Sequence, residues 1–506
     1  MKPVISEYEA KWLDEITINS GFCDGPKLMH NAGRETAIWF LENIPNPFRC
    51  KVIVVSGKGN NGGDGIVTHH YLKLFGVQSL LMLMDKSQFD RQLISDYQIK
   101  KNEIVFYRPD IHFNDFNWII DALFGIGLSR DITHDYKSII NKINEVPNVI
   151  SVDIPSGVFT DTGLVAGISV KSNHTITMEY KKLGHYLNNG KNQSGQIHVL
   201  EIGFKPIPID EFNIIEYDKK DIRLLIRDYE HNAHKYSRGK ALIIAGSKGM
   251  TGAGILAAKG ANKIGCGLVK SIIPASLNTI FESELTEVIT IPVEDESTGC
   301  LSKFYISIIE NQLDWADAIL VGPGLSCDDD SIKLITEILN KKPNSLILDA
   351  TGFEPLIKRK ITIADLPENC ILTPHIGEFS KIFHLDSESV KNDPISAIQS
   401  IKPELGDRIL VLKGSPTFIT TGNGHLYMIS NGSPLLATAG TGDVLAGMIT
   451  GLIAQGYPSF EASILGTYIH AQTSIEFRKA IGTKGMIATD IVDLIPTTIS
   501  WIMNEN

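Results

Sequence analysis

The feature that most constrains this chain is a pair of serial patterns, short apolar runs of which several break into a loop bearing glycine or polar side chains. In the first half the runs fall at 51–56, 79–84, 118–121, 149–153, 174–178 and 197–202. In the second they fall at 241–246, 267–273, 318–322, 345–349, 371–373 and 409–413. Short apolar runs without polar alternation read as strands buried on both faces, as in parallel sheets. Segments of helical spacing lie between several of them, so the chain reads as α/β with doubly wound parallel sheets. At 506 residues it exceeds one ordinary domain. Residues 204–228 hold Pro206, Pro208 and the run Asp218-Lys219-Lys220-Asp221, and no apolar periodicity crosses them. The boundary therefore falls near residue 215, giving domains 1–215 and 216–506. Ahead of the first strand, residues 6–44 are helical in pattern, with Trp12, Ile16, Ile18, Leu28, Met29, Ala32, Ile38, Trp39 and Leu41 as core.

Charge narrows the function classes. The formal net charge is −11 and no basic run interleaves with aromatics, which disfavours nucleic acid. No stretch approaches the roughly 18 apolar residues of a membrane span. The first residues lack the apolar core of a signal peptide, so a cytoplasmic location is expected. Six cysteines (Cys23, Cys50, Cys266, Cys300, Cys327 and Cys370) lie far apart and form no CxxC pair. They read as reduced thiols, not as a zinc site or a disulfide framework.

Chemistry concentrates in 431–447, around Gly440-Thr441-Gly442-Asp443. Beyond it Val444, Leu445, Met448, Ile449 and Leu452 recur at helical spacing. The glycines thus stand at a helix N-terminus, where free N–H groups and the dipole favour an anion. Asp443 would repel phosphate, an odd choice for simple anion binding. It makes sense as the base that takes a proton from a hydroxyl attacking that phosphate. The plain alternative is a glycine-rich turn with aspartate in the first helical turn. Upstream, four strand ends run into Gly322-Pro323-Gly324, Asp349-Ala350, Thr373-Pro374-His375-Ile376-Gly377-Glu378 and Lys413-Gly414-Ser415-Pro416-Thr417. Taken alone, His375 with Glu378 reads as a structural pair, and Lys413 as solvated or as a phosphate contact. The layout is that of a ribokinase-like α/β domain, with nucleotide and hydroxyl substrate meeting at the glycine-rich helix start.

In the first half, three loops sit at expected strand ends, where α/β sheets gather functional residues. They are 59–65, 121–131 and Asp153-Ile154-Pro155-Ser156-Gly157, and they carry the oxygens of Asn61, Asp121 and Ser156. Amide, carboxylate and hydroxyl together suit a hard cation. Asp64 and Asp153 remain as acid–base groups. Each residue singly also fits a turn or helix cap. A rival is the dinucleotide fingerprint, Gly57-x-Gly59-x-x-Gly62 after a strand with Asp85 following the next one. Paired asparagines and two more glycines make this loop longer and more polar than a tight strand-to-helix turn.

Gly-Asn-Asn-Gly-Gly-Asp-Gly at 59–65, Asp-Ala-Leu-Phe-Gly-Ile-Gly at 121–127, Asp-Ile-Pro-Ser-Gly at 153–157 and Lys182-Leu183-Gly184 together resemble the epimerase domain of the bifunctional NAD(P)H-hydrate repair enzymes. The resemblance implies a Rossmann-like domain. It also implies that Asn60, Asn61, Gly62, Gly63 and Asp64, then Gly125, Ile126, Gly127, Leu128, Ser129, Arg130 and Asp131, with Asp153, hold the hydrated dinucleotide. Asn61, Asp121 and Ser156 would bind potassium. Two departures show: His30 stands where the family carries glutamate, and Lys181 where it carries proline.

Thr251–Ala253, Gly322–Gly324, Thr373–Glu378, Lys413–Thr417 and 431–447 are similar, in family order, to the dehydratase motifs of the same enzymes. Ala245-Gly246-Ser247 replaces the usual Gly-Gly-Ser. The resemblance implies that the first domain interconverts R and S hydrates of NADH and NADPH, and that the second dehydrates the S form with a nucleotide. Hydroxide is a poor leaving group, and phosphorylation makes it a good one. Asp443 would deprotonate the C6 hydroxyl, and Ala253, Gly324, His375 and Asp443 would line the hydrated-nicotinamide pocket. Lys413, Gly414, Ser415, Pro416, Thr417 and Gly442 would contact the nucleotide, ADP in the fused bacterial pattern, with ATP physically equivalent. Magnesium is expected for phosphoryl transfer, and a homo-oligomer as the assembly. Two other readings use the same residues: a ribokinase-like vitamin or thiazole kinase that keeps its phosphorylated product, and a non-catalytic nucleotide-binding module.

Overall fold

A computed structural model describes residues 1–84, 91–303 and 306–504; Asp85 lies outside the described residues. The chain divides into two compact units, Lys2–Ile214 and, with Met1, Ile215–Asn506. Among the described residues no helix is long and apolar enough to cross a membrane, and the six cysteines are free.

In the first unit the apolar runs become β1 (Lys51–Ser56), β2 (Gln78–Leu83), β3 (Ile104–Phe106), β4 (Trp118–Ala122), β5 (Val149–Val152), β6 (His174–Met178) and β7 (Gln196–Leu200). They pair in parallel in the order β3-β2-β1-β4-β5-β6-β7. The three-residue β3 is too short to register as an apolar run, and the sequence did not reveal it. Helices α1 (Glu7–Asn19), α2 (Gly25–Asn43), α3 (Asn60–Leu74) and α4 (His134–Asn144) accompany the sheet. Alternate side chains serve opposite faces. Val52, Val54, Ile120 and Ile150 pack with Leu28, Ala32, Phe40, Ile66 and Leu72 of α2 and α3. Ile53, Val55, Ile119 and Val149 pack with Ile139, Ile140 and Ile143 of α4. One expected core residue fails: Ile18 is 42% exposed in the last turn of α1. Thr17 turns inward instead, and its hydroxyl accepts from the Lys205 N–H.

The second unit's sheet is built from β8 (Lys240–Ile244), β9 (Leu268–Pro274), β10 (Ile289–Val293), β11 (Ala318–Val321), β12 (Leu346–Leu348), β13 (Ile371–Leu372) and β14 (Ile409–Leu412). A hairpin, β15 (Thr417–Thr420) and β16 (Leu426–Ile429), extends it. The order is β10-β9-β8-β11-β12-β13-β14-β15-β16, parallel up to β14 and antiparallel beyond. Helices α5 (Thr251–Lys263), α6 (Thr441–Ala454), α7 (Ser459–Ala480) and α8 (Ala488–Met503) contribute to the core. Small residues set the crossing of α5 and α6. A Cβ on Gly447 would stand 2.0 Å from the Ala257 carbonyl oxygen, and one on Gly260 2.6 Å from that of Val444. Fully buried Val444, Met448 and Ile449, each worth about 1.5–3 kcal/mol on burial, hold α6 in place. Its N-terminus is thereby fixed at the carboxyl ends of the strands.

Candidate active sites

Order in the first unit reverses between β1 and β4, and α/β sheets open a crevice at the carboxyl ends of such strands. The register pairs Val55 with Asp121 and Ser56 with Ala122, which brings the loops after β1 and β4 side by side. One sequence expectation is corrected here. Residues 60–65 are not loop: α3 begins at Asn60, with Gly59 as its cap and the Gly63 N–H donating to the Gly59 carbonyl at 3.1 Å. Only Gly57–Gly59 turns the chain. A Cβ on Gly62 would meet the Gly57 carbonyl oxygen at 2.0 Å, so glycine is what permits so tight a turn. Loop length therefore does not set this turn apart from a dinucleotide fingerprint. What distinguishes this site is its polar content.

Asp121 is fully buried inside β4, one residue before the strand ends. Its Oδ1 accepts from Ser156 Oγ at 2.6 Å and Leu123 N–H at 3.2 Å. Its Oδ2 accepts from Ser151 Oγ at 2.7 Å and Ser156 N–H at 3.0 Å. Burial pushes this carboxyl up, against those four donors. Ser156 Oγ also accepts from the Phe124 N–H at 2.9 Å. Asn61 stands beside this group, for a Cβ on Gly125 would lie 3.5 Å from its Oδ1. Both amide atoms of Asn61 are buried without a hydrogen-bond partner among the described residues. An orphaned buried amide needs an explanation, and a hard cation supplies one.

Asp153 follows β5 in a left-handed conformation, φ 69°. Its Oδ1 pairs with Lys182 Nζ and accepts from Thr177 Oγ1 at 3.1 Å. Lys182 is 3% exposed, and its ammonium also donates to Thr177 Oγ1 at 2.7 Å and the Met178 carbonyl at 3.2 Å. His185 Nε2 donates to the Asp153 carbonyl at 2.9 Å. Burial, then Lys182, depresses its imidazole to about 3, so it is neutral. Burial works against the Asp153 carboxylate, but Lys182 and Thr177 hold it below the ordinary range. Asp64 behaves oppositely: burial first, then Asp153 and Asp14, push it well above that range. Two carboxyls whose environments drive them apart in this way have the chemistry that an acid and a base require. Along 125–131 the Ile126 carbonyl accepts from Thr160 Oγ1 at 3.0 Å and Leu128 packs on the apolar core. Gly127, Ser129, Arg130 and Asp131 are exposed. Sequence reasoning missed Asp14, Thr177 and His185, and valued Lys182 only as part of a motif. Asp14 carries no local signal; it enters on α1, distant in sequence.

In the second unit Gly440 is left-handed at φ 88° and caps α6, placing Asp443 in the first turn. A Cβ on Gly442 would lie 3.2 Å from Lys413 Nζ, so the ammonium and the free helix N–H groups face one spot. Lys413 Nζ donates to Asp349 Oδ1 at 2.6 Å, and Thr373 Oγ1 reaches the same oxygen at 2.8 Å. The Lys413 N–H donates to the Pro374 carbonyl at 2.8 Å, joining that loop to His375. Burial, then Asp349 and Glu378, push the Asp443 carboxyl up to about 7 against the pull of Lys413. That value suits a base working near neutrality. His375 caps the helix Ile376–Ile382 through a reciprocal box with Glu378, and its side chain is 61% exposed. Gly324, at φ 63°, lies against Ala253, its would-be Cβ 2.8 Å from that residue's Cβ. In the 413–417 loop, Thr417 Oγ1 donates to the Gly414 carbonyl at 3.1 Å across Ser415 and Pro416. The sequence places Asp349 and Glu378 in strand-end loops but gives no sign that both charges face Asp443. His470, on α7, gave no sequence signal.

A parallel doubly wound unit and a second unit in which Asp443, Lys413 and a glycine-capped helix start converge define a two-part α/β enzyme with a ribokinase-like second half. Residues 25–184 match the family of the YjeF-related protein N-terminus, and residues 241–497 that of NAD(P)H-hydrate dehydratase. The bifunctional NAD(P)H-hydrate repair enzyme of Dictyoglomus turgidum is 30% identical, the match covering 100% of this chain and 99% of that one. Its counterpart in Salinibacter ruber is also 30% identical, over 98% and 95%. Among solved structures, a ribokinase-like superfamily protein from Enterococcus faecalis matches at TM-score 0.51 and 24% identity, over 59% of this chain and 99% of that one. A protein of Streptococcus mutans matches at TM-score 0.51 and 27% identity, over 57% and 100%. The chain belongs to the family of bifunctional NAD(P)H-hydrate repair enzymes.

Proposed function

We propose that the first unit interconverts the R and S hydrates of NADH and NADPH, and that the second dehydrates the S hydrate with a nucleotide. The observation that carries the second half is the coincidence, at one helix start, of a carboxyl titrating near 7 with Gly440, Gly442 and Lys413. Asp443 takes the proton from the C6 hydroxyl as its oxygen attacks the terminal phosphorus. The Gly440–Gly442 N–H groups and Lys413 stabilise the charge on the phosphoryl group in transfer. Ring-nitrogen electrons then expel phosphate, a proton leaves C5, and the C5–C6 double bond returns. A kinase lacks that last step, and membership of the repair family argues against the vitamin- or thiazole-kinase reading. Ala253, Gly324 and His375 flank the pocket, and Gly414, Ser415, Pro416 and Thr417 meet the nucleotide. ADP and ATP end in the same phosphoanhydride, and ADP is favoured by the fused bacterial pattern. Magnesium would arrive on the nucleotide phosphates, since it is usually held by one or two carboxylates plus phosphate.

In the first unit, C6 of the hydrate bears both the ring nitrogen and the hydroxyl. Protonating that hydroxyl releases water and leaves an iminium, and water returning from the other face inverts the centre. Asp64, whose carboxyl burial pushes well above the ordinary range, suits the donor; Asp153, held below that range by Lys182, suits the acceptor. Asn60, Gly62, Gly63 and the 125–131 loop would hold the dinucleotide. Potassium fits at Asn61 and Ser156, because the Asn61 amide oxygen is buried and has no partner among the described residues. It would supply a fixed positive charge that orders the loops. Asp121 sits behind this site as its negative charge, both of its oxygens already engaged by four donors.

The test is a time course on mixed hydrate with both epimers resolved by chromatography. Asp153→Ala should consume the S form at the wild-type rate and then slow to the spontaneous rate of epimerisation. Asp443→Asn should equilibrate the epimers while restoring almost no NADH. Consumption of both epimers at the wild-type rate by Asp153→Ala removes that residue from the epimerase. Loss of S dehydration in well-folded Asp153→Ala would refute chemically independent units.

A further inference from the structure

Helix α7 carries no residue that the mechanism above uses, yet it holds both ends of the glycine-rich segment. Gln472 Oε1 accepts from Asn431 Nδ2 at 2.9 Å, and Ser474 Oγ accepts from the Ser433 N–H at 3.1 Å. At the other end His470 Nε2 lies 2.9 Å from the Thr441 carbonyl oxygen. A carbonyl only accepts, so Nε2 bears the proton and the tautomer is fixed. His470 is 7% exposed, and burial depresses its imidazole to about 4. It is a neutral donor throughout the working range.

The bonded carbonyl belongs to the peptide between Thr441 and Gly442. In a planar trans peptide the C=O and N–H point in opposite directions, so a bond that fixes the Thr441 oxygen also aims the Gly442 N–H. That N–H is among the first of α6, which have no partner within the helix, and its residue faces Lys413 Nζ. The flanking groups restrain the plane further: Thr441 Oγ1 donates to the Leu436 and Thr438 carbonyls, each at 3.0 Å. Gly440 and Gly442 are the most flexible backbone positions in the turn, and these ties add to the restraint that α6, which begins at Thr441, places on this peptide. Hydrogen bonds in series also polarise one another, so a donor on the C=O strengthens the N–H on the far side.

We propose that His470 is a positioning residue for the dehydration: through the Thr441 carbonyl it aims and polarises the Gly442 N–H that receives the transferring phosphoryl group. The inference rests on the phosphoryl site proposed above. Charge on the phosphoryl oxygens changes most in the transition state, so the effect belongs to kcat more than to nucleotide KM.

Steady-state dehydration of the S hydrate with ADP tests it, in His470→Phe, His470→Gln and Asp443→Asn. Removing one donor from an anion hole costs about 10²–10³-fold, and loosening one that remains should cost less. His470→Phe should therefore lose about tenfold in kcat with ADP KM within about twofold. His470→Gln, whose amide can donate to the same carbonyl, should recover most of the loss, and neither should move the pH profile set by Asp443. Wild-type kcat in folded His470→Phe overturns the proposal. So does an equal deficit in His470→Gln, which would mean packing and not the hydrogen bond. A shifted pH profile overturns it as well, in favour of acid–base work. Should His470→Phe not fold, His470→Asn, whose amide is too short to reach, takes its place against His470→Gln. Near-normal turnover by Asp443→Asn would instead refute the phosphoryl-transfer reading itself.

Discussion

Asp443 gives a pH dependence that can be worked from its surroundings. Burial is the largest influence, and the Asp349 and Glu378 carboxyls add to it while Lys413 opposes them, bringing the group to about 7. The base is competent only as carboxylate. Near pH 7 about half of the enzyme holds it so; one unit lower the fraction is about one in eleven, and one unit higher about ten in eleven. Dehydration should thus rise about fivefold from pH 6 to pH 7 and less than about twofold from pH 7 to pH 8. The same group affects stability. The unfolded chain releases this proton near 3.8 and the native state near 7, so between those values the native state binds more protons. Its contribution to stability is present below about 4 and is lost as pH rises through about 7. Asp443→Asn should abolish both trends and lower turnover by about 10²–10⁴-fold, with nucleotide binding kept because the N–H groups remain. The assay is recovery of reduced-nicotinamide absorbance from purified S hydrate with saturating ADP, across about pH 5.5–8.5, beside thermal melts in the same buffers. A rate flat across that range, or an unchanged acid limb in Asp443→Asn, would refute the assignment.

Asn61→Ala separates the cation from the fold: epimerisation should lose its response to potassium while the melting temperature stays within a few degrees, because the amide makes no hydrogen bond among the described residues. A potassium response equal to wild type would dismiss Asn61 as a ligand. Asp121→Ala cannot serve that purpose, since it strips four buried donors of their acceptor and should cost about 3 kcal/mol or more in a denaturant titration. Gly447→Ala should destabilise the second unit by about 1–3 kcal/mol, because its methyl would meet the Ala257 carbonyl at 2.0 Å; unaltered denaturation would show that α5 and α6 can separate at no cost.

The sequence by itself determined the architecture and the positions of the chemistry. Short apolar runs rich in β-branched residues and bounded by turn residues read as strands covered on both faces, and a polar break after such a run marks the strand's end, where a parallel sheet keeps its sites. Both facts are local, and so β1, the glycine-rich start of α6 and the Asp153 loop were legible. Tertiary structure decided what each polar group faces. Asn60 and Asn61 read as loop because glycines surround them, but the tight Gly57–Gly59 turn lets α3 begin there. Asp121 reads in sequence as a cation ligand carried by a strand-end loop; in place it is buried inside β4 and its oxygens accept from four donors. Asp14, Thr177, His185 and His470 gave no local sign, because each acts across a long sequence separation or from within an ordinary helix. The states of Asp153 and Asp443, one held ionised and the other near neutrality, follow from which charges the fold brings close. Lys182 lies against Asp153, whereas Asp349 and Glu378 outweigh Lys413 at Asp443. Coulomb energy and desolvation depend on distance and burial in three dimensions, and a linear chain specifies those only once it has folded.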